Sequence, residues 1–309
     1  MDAAGGVRAR AGQALAALWS LDALLKLQPH MFTPALFVNV LGPVAVDDQP
    51  PWFASMLDAV DRVWVRHMAL ADLAVFAVEA SIALLLWWGP ARRPGRIGLW
   101  LLLAWLAVVW VFGEGMGGLV SGDASILSEA PGTTVFYAAT AVALLAPLQA
   151  WQGGRVAQGL RWGLGLFWLM GAALQLNGSF WTAAGLGGIF GNVTMNGLEP
   201  VFVLRLLDLV LGLVMAHPAV WNLVIVAALA ALGAATLALG PRPAVAWAAT
   251  VWLLLCWATA QAFGGLFTGT ATDPGAAVAF GLFVWLARVA WGARPTSPAR
   301  DAAPPAVSA

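Results

Sequence analysis

Gly117-Gly-Leu-Val-Ser-Gly-Asp-Ala124 returns further along the chain as Gly264-Gly-Leu-Phe-Thr-Gly-Thr-Ala271. Two glycine-rich stretches this alike make an internal repeat the first question to settle. Working outward, Pro131-Gly132 matches Pro274-Gly275, and Gly89-Pro90 matches Gly240-Pro241. Pro50, Leu57-Asp58 and His67 match Pro200, Leu207-Asp208 and His217. Arg10-x-Gly12 with Leu15 and Leu18 pairs with Arg161-x-Gly163, Leu166 and Leu169. The period is roughly 150 residues, about half the chain.

What lies between these marks is apolar. Of 309 residues, 61% are hydrophobic and 10% charged, against about 25% charged in soluble domains. Too few polar side chains remain to cover a soluble surface, so lipid must cover much of it. Trp52, Trp88, Trp151 and Trp291 stand at the ends of apolar runs, where indole favours the headgroup layer. Net charge is zero, which gives nucleic acid no footing. The single Cys256 excludes an intrachain disulfide and a cysteine metal cluster.

A span needs roughly 17–25 apolar residues. Eight are expected, over 11–28, 67–89, 97–113, 133–150, 159–177, 219–239, 244–263 and 275–292. The fold class expected is therefore an all-α polytopic membrane protein of two parallel four-helix repeats. The first repeat would cover 1–152 and the second 153–294, with a disordered cytoplasmic tail over 295–309. Short amphipathic helices, about 52–65 and 201–215, would lie in the interface within long outer loops. With the N-terminus cytoplasmic, eleven Lys and Arg fall inside and four outside or in the outer membrane. That bias predicts a multi-pass protein of a bacterial plasma membrane with both termini in the cytoplasm. An even number of spans per copy predicts a pseudo-twofold axis along the membrane normal.

The first span, Arg10-Ala-Gly-Gln-Ala-Leu-Ala-Ala-Leu-Trp-Ser-Leu-Asp-Ala-Leu-Leu-Lys-Leu-Gln-Pro29, resembles the opening helix of the DoxX/DoxD-like membrane proteins. The resemblance implies a four-helix membrane bundle per half and an auxiliary subunit of a quinone-linked redox system. It would bring a quinone as cofactor and a membrane oxidoreductase as partner, and carries no catalytic residue onto this chain. The same opening also resembles the first helix of the HTTM group, whose lysine pattern has no counterpart here.

Ionisable side chains in hydrocarbon cost a few kcal/mol or more and mark cavities, partners or pathways. The first half holds Asp22, Lys26, Asp72, Glu79 and Glu114. The second holds Asn222 opposite Asp72 and Gln261 opposite Glu114. Asp22 and Lys26, four apart, predict an ion pair on one helix face. Asp72 and Glu79, seven apart, share a helix face pointing into the bundle. Glu114, within Gly113-Glu-Gly-Met-Gly-Gly118, is expected at the floor of a tight outer loop. That string fits G-x-G-x-x-G but follows a membrane helix and opens a loop, which rules out a dinucleotide fold.

On the outer face, Asp58 and His67 recur as Asp208 and His217. Asp58–Arg62 and Arg205–Asp208 are expected as surface ion pairs. The histidines fall at helix junctions without metal-ligand spacing, so no metal is expected. These placements lead to a non-enzymatic protein that binds or moves a small molecule, lipid or ion through a pocket open to the extracytoplasmic side. The redox subunit and a structural or assembly factor without ligand stand as alternatives.

Overall fold

The computed structural model describes residues 3–46, 49–191 and 198–294, and among them no strand occurs. Ten helices of 13 to 23 residues carry the architecture. In order they are α1 (Ala3–Leu25), α2 (Pro51–Arg66), α3 (Met68–Leu86), α4 (Arg93–Phe112), α5 (Thr133–Leu145), α6 (Arg155–Leu174), α7 (Val201–Ala216), α8 (Pro218–Leu239), α9 (Pro243–Ala258) and α10 (Ala276–Ala293). The tail over 295–309 lies outside the described residues.

Four helices, α3, α4, α8 and α10, are long and apolar enough to cross a membrane. Their outward faces carry large exposed hydrophobics such as Leu70, Leu84, Trp100 and Leu223. The remaining apolar runs also fold as helices, with shifted ends. Pro147 lacks the amide a helix needs and disfavours helical geometry before it. The run expected over 133–150 therefore stops at Leu145 and resumes as a separate turn, Leu148–Gln152. The long loops expected on the outer side are not open chain. Residues 29–46 and 178–191 wind into short helical pieces, each begun by a threonine that turns back on itself. Thr33 Oγ1 donates to His30 O and Thr182 Oγ1 to Ser179 O, both at 2.8 Å.

Hydrocarbon offers no hydrophobic drive between helices, so close packing through small residues carries the association. α1 lies along α3 and α6 along α8. The second crossing is closed by Gly165 and Gly233, where an added Cβ would meet Leu237 and Leu169. Ala16 and Ala83 are buried in the first half. α4 packs on α5 and α9 on α10, and the halves join where α5 meets α10. There Phe136 stacks on Phe280 at 4.2 Å, with Trp168 tilted against Phe280 at 4.4 Å.

One end of the bundle is held by arginine. Arg8 is buried and donates from Nη2 to Leu144 O (2.8 Å), a carbonyl left open at the end of α5, and to Pro90 O (3.2 Å) in the turn between α3 and α4. Arg161 bonds Leu237 O and lies over the Trp291 ring. Arg10, matched to Arg161 by sequence, is exposed and reaches only Gly6 O. The sequence match is thus out of register. Buried Trp19 and Trp168, and the threonine turns at Thr33 and Thr182, set the true offset at 149.

The other end is built on two left-handed turns. Gly115, Met116, Gly117 and Gly118 have φ of 53, 58, 62 and 70°; Ala262, Phe263, Gly264 and Gly265 have 41, 60, 66 and 64°. Each left-handed residue with a side chain costs roughly 1–2 kcal/mol, so packing must offset three of the eight. The amphipathic helices supply it. Phe53 and Leu57 of α2 cover Met116, and Val203 and Leu207 of α7 cover Ala262 and Phe263. A Cβ at Gly117 would collide with Pro131, and one at Gly264 with Pro274.

Gly117→Ala and Gly264→Ala should each lower the thermal midpoint in detergent strongly, by strain of roughly 1–2 kcal/mol plus the collision. Gly159→Ala, within α6 and facing open space, should leave the midpoint unchanged or raise it, by up to about 1 kcal/mol. Equal losses in all three would contradict the turn geometry.

Candidate functional site

Each left-handed turn is pinned in the same way. Trp110 Nε1 donates to Pro131 O and Trp257 Nε1 to Pro274 O, both at 2.7 Å. Glu114 then accepts from Thr134 N (3.1 Å) and Thr134 Oγ1 (2.6 Å) at the start of α5. Gln261 accepts from Ala277 N (3.1 Å) at the start of α10. Both side chains satisfy amides that open a helix and have no intrahelical partner. Glu114 therefore caps a helix in a position where the second half uses a neutral amide. Burial pushes its carboxyl up to about 8, with Asp273 and Glu129 adding to the rise and the Thr134 bonds opposing it.

Beneath the turns lies a polar layer in which the halves differ. In the second half it is neutral. Gln175 Nε2 donates to Asn222 Oδ1 (2.8 Å), Asn222 Nδ2 to Gln175 O (3.1 Å), and Ser125 Oγ to Gln175 Oε1 (2.7 Å). In the first half the equivalent layer is charged. Lys26 Nζ pairs with Glu79 Oε2 at 3.1 Å and donates to Thr272 O at 2.6 Å. Glu79 Oε1 accepts from Trp105 Nε1 (3.3 Å), and Asp72 Oδ1 from Trp64 Nε1 (3.1 Å). All four acidic and basic members, Asp22, Lys26, Asp72 and Glu79, are under 10% exposed.

The expected Asp22–Lys26 pair does not form. α1 ends at Leu25, and Lys26 N bonds Ala23 O in a tighter turn. That rotation carries the ammonium to Glu79 on α3 and Thr272 on the far loop. Asp22 is left beside the Tyr137 hydroxyl, each with a polar atom that closes no ordinary hydrogen bond among the described residues. Asp72 and Glu79 do share the inward face of α3, but they serve different neighbours, α2 and α4.

Asp273 draws the cluster together and was missed in the sequence. Its Oδ1 accepts from Gly275 N (2.7 Å) and Oδ2 from Thr272 Oγ1 (3.2 Å). Its charge reaches Asp22, Glu79, Glu114 and Glu129. Glu129 sits in the loop before α5 and accepts from Ala276 N of the other half at 3.3 Å. Burial first, then Asp273, pushes it up to about 7. These residues border a cavity of about 240 Å³, lined by Glu129, Glu199, Gln261, Thr270, Thr272 and Asp273 among others. The only sequence signal was their nearness to the Pro-Gly pairs at Pro131 and Pro274.

The residues expected on the outer face stand apart from this cluster. Asp58, His67, Asp208 and His217 are exposed. Asp58 bonds Arg62. No Arg205–Asp208 pair forms among the described residues, so that expected surface bridge is absent. The helix there places Arg205 and Asp208 on its exposed side without bringing them within ion-pair distance. His67 and His217 occupy the breaks between α2 and α3 and between α7 and α8. His30 reaches across to Thr268 O at 3.0 Å. Among the described residues, no three His, Cys, Asp or Glu gather to hold a metal. Comparison of the chain with protein-family models, curated proteins and solved structures gives no match in any of the three.

Removing one partner of a buried ion pair costs about 3–5 kcal/mol. Lys26→Met should lose that much in a denaturant titration, and adding Glu79→Leu should recover most of it. A double variant as unstable as the single would show that the pair does not couple.

Glu114 has a distinct pH signature. Its folded value is raised, so the folded protein keeps a proton that the unfolded chain has released above about pH 4.3. Stability from this group is full below that value and falls as pH rises to about 8. Glu114→Gln should flatten that fall in thermal midpoints taken from about pH 5 to about pH 9. Glu114→Ala should lie roughly 1 kcal/mol below Glu114→Gln at every pH, since neither variant ionises there and only Gln keeps the cap.

Proposed function

We propose that the chain is an eight-span helical membrane protein that binds, and thereby stores or moves, a small solute or ion. Its pocket lies at the glycine-turn end and opens on the extracytoplasmic face. One observation carries this reading. Equivalent polar layers are neutral in one half, Gln175–Asn222, and charged in the other, Lys26–Glu79 with Asp22 and Asp72 close by. Amides suffice to hold the bundle, so the charges answer to something other than the fold. Intramembrane charges that the fold does not need mark ligand or proton sites. The cluster meets the 240 Å³ cavity at Thr272 and Asp273, which supplies a route for a solute to reach it.

The α1, α5, α6 and α9 helices complete the eight spans, and the cytoplasmic side is the arginine end. Arg8, Arg92, Arg93 and Arg161 cluster there, as the positive-inside bias requires. This orientation puts both glycine turns outside.

Two measurements test the proposal. In a Cys256→Ser background, Asp123→Cys should react with a membrane-impermeant maleimide in intact cells, and Ala91→Cys only after permeabilisation. The reverse pattern would invert the topology. The purified protein should show a thermal shift with at least one of sodium, ammonium, butylammonium, butyrate or glycerol. Copying the second half into the first with Lys26→Gln, Asp72→Asn and Glu79→Leu should keep the fold and abolish that shift. A wild-type protein insensitive to all five, carrying no extracted quinone or lipid, would leave an assembly role instead.

A further inference from the structure

The cavity at the glycine end has a chemistry narrower than the solute-binding role just proposed, and the inference here rests on that role. Its wall carries three carboxylates, Glu129, Glu199 and Asp273, and among its described lining residues there is no Lys, Arg or His. Lys26, the cation nearest by contact, is already engaged by Glu79 and by Thr272 O. An anion would therefore enter against three acidic groups with nothing to neutralise it.

Glu199 supplies the second, independent observation. It is 6% exposed, it lines the cavity, and its Oε2 has no hydrogen-bond partner among the described residues. A buried carboxylate oxygen left without a donor is costly, and a ligand donor that reached it from the cavity Glu199 lines would remove that cost. Glu129 and Asp273 each spend one oxygen on a backbone amide, Ala276 N and Gly275 N. Their placement is thereby fixed before anything binds.

Three cation classes could meet this wall, and the lining separates them. A multivalent metal needs its ligands gathered at one point, and no such group of three exists among the described residues. A quaternary ammonium has no N–H and is held by aromatic faces; the described lining contains no Phe, Trp or Tyr. A primary ammonium offers three N–H donors. It would meet carboxylates together with the Thr268 and Thr272 hydroxyls and the Gln261 amide oxygen as acceptors. The volume, about 240 Å³, admits a short alkyl chain.

We propose that this cavity is a binding site for a small primary alkylammonium, with Glu199 as its principal counter-charge and Glu129 and Asp273 as flanking acceptors.

The probe is n-butylammonium chloride, added to the full-length protein in detergent at pH 8. Thermal midpoints would be followed by intrinsic tryptophan fluorescence at constant ionic strength. Butylammonium should raise the midpoint saturably, while tetramethylammonium, sodium butyrate and calcium chloride should not. Glu199→Gln should weaken the butylammonium response by roughly tenfold or more, the loss expected for a charge-assisted hydrogen bond. Glu199 Oε2 has no internal bond to lose, so this variant should keep its ligand-free midpoint. Glu129→Gln provides a second reading and should weaken the response as well.

The assignment fails if tetramethylammonium acts as well as butylammonium, if calcium alone acts, or if both variants keep wild-type affinity. A shift with butyrate or glycerol but not with butylammonium would overturn the amine assignment and leave the solute-binding role standing. No shift with any of these compounds, nor with sodium or ammonium, would remove both.

Discussion

The geometry at one end of this protein depends on a backbone turn of the wrong hand. Four residues in succession, twice over, take left-handed φ/ψ between a membrane helix and a loop. Such a turn is unfavourable for any residue with a side chain. It survives because an indole pins the following proline carbonyl, a Glu or Gln caps the next helix, and an amphipathic helix covers the turn. Each of these contacts appears in both halves. α2 and α7 even repeat the same order of exposed and buried positions over 51–60 and 201–210.

From the turns hang the loops that tie the halves to each other. Lys26 of the first half bonds Thr272 in the loop of the second, and Gln175 of the second accepts from Ser125 in the loop of the first. Gln28 to Ala271 O and Asn177 to Gly122 O repeat the exchange nearer the surface. The latch is reciprocal, so neither half is complete without its neighbour. It also places the polar ends of α1 and α6 against loops that they do not precede in sequence. Distant parts of the chain thus build one acidic chamber.

Within that frame the halves have diverged in charge rather than in shape. Lysine, aspartate and glutamate in one copy occupy places filled by glutamine, asparagine and leucine in the other, with Leu229 standing where Glu79 does. The neutral layer pairs the Gln175 and Asn222 side chains with each other and with Ser125, the least costly arrangement in a low-dielectric interior. In the charged layer Asp72 Oδ2 has no hydrogen-bond partner among the described residues, and Asp22 lies against the Tyr137 hydroxyl. One half thus holds its layer with neutral groups while the other carries charged ones.

Composition and periodicity alone determined that the chain is helical and apolar, roughly where its long helices fall, and that Asp22, Lys26, Asp72 and Glu79 are buried, but not that Arg8, Asp61 and Glu199 are. These follow from local rules: hydrocarbon admits few charges, and a proline or glycine stops a helix wherever it stands. Asp72 and Glu79 could be placed inward because seven residues make two turns. Only the tertiary structure decided who meets whom. Lys26 left Asp22 for Glu79 because its helix ends one residue earlier, and Glu114 proved to cap α5 because the glycine turn folds back onto it. Asp273, Glu129 and Glu199 carry no periodic signal, since loop residues obey no repeat. They converge because two loops and a segment far apart in the chain close over one cavity, a consequence of packing that no local pattern encodes.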